Sequence, residues 1–187
     1  LENMVTTVFN SQMPKLEKVD FNVNVQPMGE NALPIMIARS EYMRRMKEMA
    51  TIQSGMGFYG ELPDMMSVII NQDHKLVKRV MDETGVARND KVKPLSDELD
   101  ALQARAAELK KAKEGKKEED IPEAEKNELT DVEKQIADKE DAIKAIYTDY
   151  ATGNKVVHEL IDLALLQNGM LKGEALNSFI KRSVELI

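Results

Sequence analysis

The stretch GNKVVHELIDLALLQNGMLKGEALNSFIKRSVELI, residues 153–187, decides the fold. It predicts one helix over residues 154–167 and a second from about Glu174 to the chain end. Gly169 separates them, because glycine tolerates the left-handed conformation that ends many helices. Apolar residues surround most of the first helix and continue along the second, whereas a surface helix needs only one apolar stripe. Two such hairpins, one from each of two chains, would bury these additional apolar residues in a four-helix bundle about a two-fold axis. The alternative is a terminal hairpin packed on its own domain.

Composition bounds the class of protein. Hydrophobic residues make up 42% of the 187-residue chain, but aromatic residues only 4%, so Leu, Ile, Val and Met must fill the core. The net charge of −7 argues against nucleic acid as the main partner. With no cysteine there is no disulfide or thiolate nucleophile, which suits a reducing cytoplasm. No apolar run reaches the roughly 18 residues of a membrane span, and no signal peptide is visible.

Apolar spacing in the first 70 residues predicts a helix followed by three strands, with a second helix before the last strand. Strict alternation from Phe21 to Gln26 indicates a half-buried strand. The run LPIMIA at residues 33–38 predicts a second strand, which Pro34 confines to an edge. A hairpin is the simplest connection between these two strands. The third strand is predicted at Met66–Ile70.

Two helices interleave with these strands. Ser40 is a candidate N-cap of the first, and Asp73 is the candidate N-cap of a second that Gly85 ends. The chain begins at Leu1 with residues that already fit helical spacing, which predicts a piece of a longer protein. The predicted fold class is α+β, a small sheet of about three strands with helices on one face.

The helix after Ser40 carries an apolar stripe rich in methionine. Its members are Tyr42, Met43, Met46 and Met49, and Met56 extends the stripe into a glycine-rich segment. One interpretation is ordinary core, since methionine often fills core gaps. The other is a surface that adapts to many partners, for which methionine is also preferred.

Residues 88–150 have a different character, since 31 of these 63 residues are charged. Two heptad seams run through them. The first comprises Leu95, Leu99, Leu102, Ala106 and Leu109; the second comprises Leu129, Val132, Ile136, Lys139, Ile143, Ile146 and Tyr150. Seams of this spacing predict an inserted antiparallel coiled-coil hairpin. It serves either as a solvated spacer or as an interaction arm.

Few residues of the chain suit catalysis. His74 and His158 have no second histidine or cysteine at ligand spacing, so a zinc site is not predicted. The sequence GMGFYG follows a helix and lacks the Lys-Ser/Thr of a phosphate-binding loop. We therefore expect no active site, no cofactor and no metal in this chain.

Four segments together resemble the C-terminal domain of the bacterial 90-kDa heat-shock chaperones. They are ALPIMIARSEYMRRMKEM, SVIINQDHKLVKRV, LIDLALLQNGML and LNSFIKRSVELI. The second is similar to the family's strand-to-helix joint, here Asn71, His74, Leu76, Val77 and Lys78. The fourth carries its Phe-Ile-x-Arg pattern at Phe179, Ile180 and Arg182. The hairpin at residues 88–150 departs from the usual pattern of the family.

The resemblance implies that residues 1–187 are the dimerisation and client-binding domain of a cytoplasmic, ATP-dependent stress chaperone. ATP and magnesium would bind an N-terminal domain outside this chain. Partners would be a second copy and unfolded or partly folded clients, with no nucleic acid and no membrane. By matching position, the dimer interface would comprise Leu160, Leu163, Leu166, Leu176, Phe179, Ile180 and Val184. Clients would be contacted by Tyr42, Met43, Met46, Met49 and Met56. The alternative function is a non-enzymatic scaffold or adaptor that works through the coiled-coil arm.

Overall fold

The computed structural model describes residues 2–53, 55 and 57–187, and for Phe58, Tyr59 and Glu118 the backbone alone. The elements, in chain order, are α1 Glu2–Asn10, β1 Val19–Gln26, β2 Ile35–Arg39, α2 Glu41–Ile52, α3 Gly57–Glu61, β3 Asp64–Asn71, α4 Lys75–Lys113, a 3₁₀ helix Glu118–Asp120, α5 Glu123–Thr152, α6 Lys155–Gln167 and α7 Gly173–Leu186. The α+β class is confirmed. Within the described residues, no helix is both long enough and apolar enough to span a membrane.

The chain forms two compact units. One comprises the chain up to Glu83 together with Tyr150–Ile187, and the other comprises Thr84–Asp149. The first contains the sheet and helices α1, α2, α3, α6 and α7.

The sheet has the order β1-β3-β2, with β3 parallel to β1 and antiparallel to β2. The predicted β1–β2 hairpin is therefore wrong, because β3 lies between them. The physical reason is burial: Val68 and Ile70 of β3 are fully buried and need neighbours on both sides. Pro34 precedes the edge strand β2, as predicted, and cannot donate to a ladder.

One face of the sheet forms the core of the first unit. Val23, Val68 and Ile37 lie side by side across the three strands and are buried. Helix α1 packs on β1 and helix α6 packs on β2. Fully buried residues of α1, Val8 and Phe9, belong to this core.

Asn71, at the end of β3, joins three parts of the first unit. Its side chain is fully buried and makes all four hydrogen bonds available to an amide. Oδ1 accepts from the backbone N–H of Met28 and of Asp73, both at 3.1 Å. Nδ2 donates to the carbonyl oxygens of Gly29 at 2.8 Å and Leu33 at 3.2 Å. One side chain thus fixes the connection between β1 and β2 against the turn that enters α4.

The start of helix α4 differs from the prediction. His74 is its N-cap, because His74 Nδ1 accepts from the N–H of Leu76 and the His74 carbonyl accepts the first helical bond from Lys78. The carboxylate of Asp73, the predicted cap, instead accepts from the N–H of Gly29 at 2.8 Å. This use of Asp73 is possible because Gly29, at φ +84°, brings the loop close.

Helix α4 also continues far beyond the predicted stop at Gly85. A glycine ends a helix by adopting a positive φ, and Gly85 does not adopt one. A helical glycine costs only about 1 kcal/mol relative to alanine, so the longer helix tolerates it.

The second unit is held together by the predicted seam. Ala106, Leu109 and Val132 form a buried cluster, against which Leu102, Leu129 and Ile136 pack. Arg105 pairs with Glu128 at 2.6 Å and Lys110 with Glu133 at 2.9 Å. Lys139, the polar residue of the seam, pairs with Glu98 of the opposite helix. These contacts confirm an antiparallel pairing of α4 and α5.

We predict that Asn71→Ala lowers the free energy of unfolding by about 2–4 kcal/mol, because it leaves two N–H groups and two carbonyls without their partner. Urea denaturation measures the change. Asn24→Ala, on the exposed face of β1, is the matched control and should stay within about 0.5 kcal/mol of the unmodified chain. An Asn71→Ala chain as stable as this control would contradict the role of the amide.

Candidate interaction surfaces

Helix α2 begins as predicted, since Ser40 Oγ accepts from the N–H of Met43 at 3.4 Å. None of its residues is buried. Tyr42 is 67% exposed and Met49 44% exposed, while Met43 and Met46 are half-buried. The core interpretation of the methionine stripe is therefore wrong for these four residues. Met56 lies outside the described residues.

The stripe also contains a residue that the sequence analysis missed. Ile52 is 82% exposed and follows Met49 by three positions, which places it on the same side of α2. The spacing of Tyr42, Met46, Met49 and Ile52 could have identified it. We call Tyr42, Met43, Met46, Met49 and Ile52 the α2 stripe.

The opposite side of α2 is charged and links the helix to the sheet. Lys47 Nζ donates to Asp64 Oδ1 at the start of β3, at 2.8 Å. This hydrogen bond lowers the pKa of Asp64; partial burial opposes the shift, and the charges of Lys47 and Arg39 add to it. Arg44 pairs with Glu41 at 2.8 Å and Glu48 at 2.5 Å within the helix. Because α2 has no buried side chain, the Lys47–Asp64 pair is a direct polar link between the helix and β3.

Helices α6 and α7 form the predicted terminal hairpin. Asn154 Oδ1 caps α6 by accepting from the N–H groups of Val156 and Val157. Gly169, at φ +66°, follows the end of α6 as predicted. The buried side of α6 contains Val157, Leu160, Ile161, Ala164 and Leu165.

The two helices contact each other through polar groups. Arg182 of α7 donates to Glu159 at 2.9 Å and to Asp162 at 2.5 Å, and these three side chains are each about four-fifths buried. Ser183 donates to the carboxylate of Glu159. The guanidinium of Arg182 also lies 5.9 Å from the ring centroid of Phe179. We call Arg182, Glu159, Asp162 and Ser183 the Arg182 cluster.

The structure separates the seven residues predicted for a dimer interface into two groups. Leu160 and Phe179 are buried within the single chain, and Leu176 is half-buried. The other four are exposed, Leu163 by 45%, Leu166 by 40%, Ile180 by 50% and Val184 by 69%. They are spaced by three or four positions along each helix, so each pair shares one side of its helix. We call these four residues the α6/α7 apolar face.

A cleft of about 610 Å³ lies between the beginnings of β1 and β3, the end of β2 and the α6–α7 connection. Leu16, Ile37 and Met170 line it together with Arg39 and Asp64. Its charged groups are of both signs and do not indicate one ligand. Within the part of the chain that is described, no group of three or more His, Cys, Asp or Glu could hold a metal ion.

Both histidines take part in local backbone contacts. His74 caps α4, and His158 Nε2 lies 3.1 Å from the carbonyl oxygen of Thr152. Neither is placed beside a nucleophile in these contacts. The surfaces that stand out are therefore apolar, the α2 stripe and the α6/α7 apolar face.

Comparison with known proteins shows which proteins the chain is similar to. The HtpG chaperone of Bacteroides thetaiotaomicron is 54% identical over 186 residues, 100% of this chain. The chain is homologous to part of the HtpG chaperones. The HtpG of Porphyromonas gingivalis strain W83 is 41% identical over 96% of the chain. The chain spans 27% and 26% of the length of these two HtpG proteins.

The resemblance to the bacterial 90-kDa heat-shock chaperones is thereby confirmed. No protein-family model matches the chain, and no solved structure gives a significant match. The HtpG relatives match the residues of both compact units, since the similarity covers the whole chain.

We predict that Asp64→Asn lowers the free energy of unfolding by at most about 1 kcal/mol near neutral pH, because the Lys47–Asp64 pair is partly exposed to solvent. The folded state depresses the pKa of Asp64, so this contribution is present above its ordinary value of 3.8 and is lost as pH falls through the lower folded value. The difference between variant and unmodified chain should therefore vanish in acid. Urea denaturation at stepped pH measures it, with Asp20→Asn on the exposed face of β1 as control. A difference that persists in acid would show that the ion pair is not its cause.

Proposed function

We propose that this chain is the dimerisation and client-binding part of an ATP-dependent chaperone of the HtpG type. The proposal rests on two exposed apolar surfaces, the α2 stripe and the α6/α7 apolar face, which lie in a chain whose entire length is homologous to part of HtpG. Exposed apolar patches of this kind commonly mark interaction sites. Each surface corresponds to one of the two roles that the family resemblance implies.

The α6/α7 apolar face supports homodimerisation. The Arg182 cluster pairs polar groups between α6 and α7, while Leu163, Leu166, Ile180 and Val184 remain exposed to solvent in the single chain. A second copy offers the same face in a two-fold arrangement, and two helical hairpins then form a four-helix bundle. In this proposal Leu163, Leu166, Ile180 and Val184 form the contact, while Leu160, Phe179 and Leu176 support it from within each chain.

The α2 stripe supports client binding. Tyr42, Met49 and Ile52 are exposed on a helix that buries none of its residues. Methionine side chains adapt to differently shaped partners because they are unbranched and polarisable. Unfolded polypeptides expose varied apolar side chains, which such a surface can accept.

The chaperone mechanism assigned to this chain is mechanical. Dimerisation holds two copies of the attached portions of the chaperone at high effective concentration. ATP and magnesium bind outside these residues in this proposal, in the N-terminal domain that the resemblance implies. No catalytic role is assigned to this chain in the proposal, and the absence of cysteine fits action in the reducing cytoplasm.

We predict that Ile180→Asp converts a dimer into a monomer, because each interface would bury two unpaired carboxylates. The expected loss is at least about 2 kcal/mol of association free energy. Light scattering across a dilution series should give twice the 21.1 kDa of the chain for the unmodified protein and 21.1 kDa for the variant.

The control for this experiment is Ser178→Asp, which adds the same charge at an exposed position two residues away, on the other side of α7. It should remain dimeric. Phe179 is unsuitable, because it is only 8% exposed in a single chain and its substitution would test folding. A monomeric unmodified chain, or an Ile180→Asp dimer, would reject the interface.

We predict that Tyr42→Ser with Met49→Ser weakens the suppression of aggregation of a denatured client by severalfold, because it removes the exposed apolar area of Tyr42 and Met49 from the α2 stripe. The readout is light scattering of heat-denatured citrate synthase. Arg44→Ser with Thr51→Ser, at exposed positions on the side of α2 opposite the stripe, is the matched control. Equal suppression by both double variants, with the dimer retained, would remove client binding from α2.

A further inference from the structure

Strand β1 presents an open hydrogen-bonding edge. The N–H of Asp64 donates to the carbonyl of Lys18, and that of Gln72 to the carbonyl of Gln26. In a parallel ladder, the even-numbered residues of β1 therefore direct their backbone groups towards β3. The odd-numbered residues Phe21, Val23 and Val25 direct theirs away from the sheet.

These outward groups have no backbone partner in the described part of the chain. The ladder of β1 is with β3 alone, and β1 is the outermost strand of the sheet. Among the described residues, one further backbone contact lies near this edge, at the first residue of β1, where the N–H of Val19 donates to Leu16. Phe21, Val23 and Val25 thus offer three donors and three acceptors to a further strand.

Strand β1 lacks several of the devices that normally protect such an edge. Edge strands are commonly short or carry proline, lysine or a bulge. β1 has eight residues, pairs with β3 without a bulge, and contains neither proline nor lysine. The other edge strand, β2, has only five residues and follows Pro34, whereas each edge strand has one helix packed on it, α1 on β1 and α6 on β2.

We propose that the edge of β1 binds an extended segment of an unfolded polypeptide by strand addition. The occupant is specified by the two faces of β1. Phe21 and Val25 are half-buried on the core side, while Asn22, Asn24 and Gln26 are exposed on the other. A segment that alternates apolar and polar residues would place its apolar side chains beside Phe21 and Val25 and its polar side chains beside the asparagines.

This second surface differs in chemistry from the α2 stripe. The α2 stripe offers side chains alone, whereas β1 offers backbone groups, which every extended polypeptide can pair with irrespective of sequence. The inference rests on the proposed client binding in one respect, namely that the added segment comes from an unfolded client protein.

The test is residue-resolved amide hydrogen exchange by NMR on the 187-residue chain, with and without a soluble peptide in which valine and threonine alternate over the length of β1. The peptide should slow exchange of the Phe21, Val23 and Val25 amides by about tenfold or more, because these outward N–H groups would donate hydrogen bonds to the added strand. The Asn22 and Asn24 amides already face β3 and serve as internal controls. The same peptide N-methylated throughout its backbone should have no effect, because it cannot donate.

Two outcomes would overturn the proposal. Exchange at Phe21, Val23 and Val25 that the peptide does not slow rejects strand addition at this edge. Protection of these amides that rises with chain concentration before any peptide is added assigns the edge to a second copy.

Substitution at one position checks the assignment independently. Val25→Pro removes one outward N–H without removing a bond to β3, and proline is tolerated at such edge positions. Val25→Thr keeps the N–H and is the matched control. We expect Val25→Pro to weaken peptide binding by about fivefold or more and Val25→Thr to leave it unchanged. The Tyr42→Ser, Met49→Ser chain should retain the amide protection, so failure of the α2 role and failure of the edge are distinguishable.

Discussion

The first unit depends on the buried side chain of Asn71. Its buried amide pairs with four backbone groups, at Met28, Gly29, Leu33 and Asp73. An unpaired buried polar group costs more than a hydrogen bond gains, so this arrangement has few alternatives. It fixes the return of the chain from β1 to β2 at the same point where β3 ends and α4 begins. The position of β1 at the sheet edge has another cause, the central place that β3 takes through its burial.

The Arg182 cluster plays a corresponding part at the other end of the chain. Glu159, Asp162 and Arg182 form ion pairs with one another between α6 and α7. The leucines and isoleucines of the hairpin are divided between the core, with Leu160, Ile161 and Leu165, and the outer surface, with Leu163, Leu166 and Ile180. An apolar surface that stays exposed to water promotes aggregation, and binding of the proposed second copy would bury it. The same hairpin is thus both a structural element of one chain and a candidate interface.

Local patterns in the sequence predicted the individual elements well and their connections poorly. Ser40 and Gly169 mark helix ends where they were expected, because caps act through neighbouring residues. The β1–β2 hairpin and the stop at Gly85 were wrong, because each depends on distant residues. β3 takes the central position through its burial, and α4 continues past Gly85 into a seam shared with α5.

The sequence by itself determined the elements, the heptad seams and the resemblance to the bacterial heat-shock chaperones, since periodicity and motif spacing are properties of neighbouring residues. It also placed all seven candidate interface residues on the terminal hairpin. Only the tertiary structure divided them, with Leu160 in the core and Leu163 on the surface. The same holds for β1, whose open edge exists because β3 lies on its other side. Burial and free hydrogen-bonding groups depend on which distant segments meet, and a linear pattern does not contain that information.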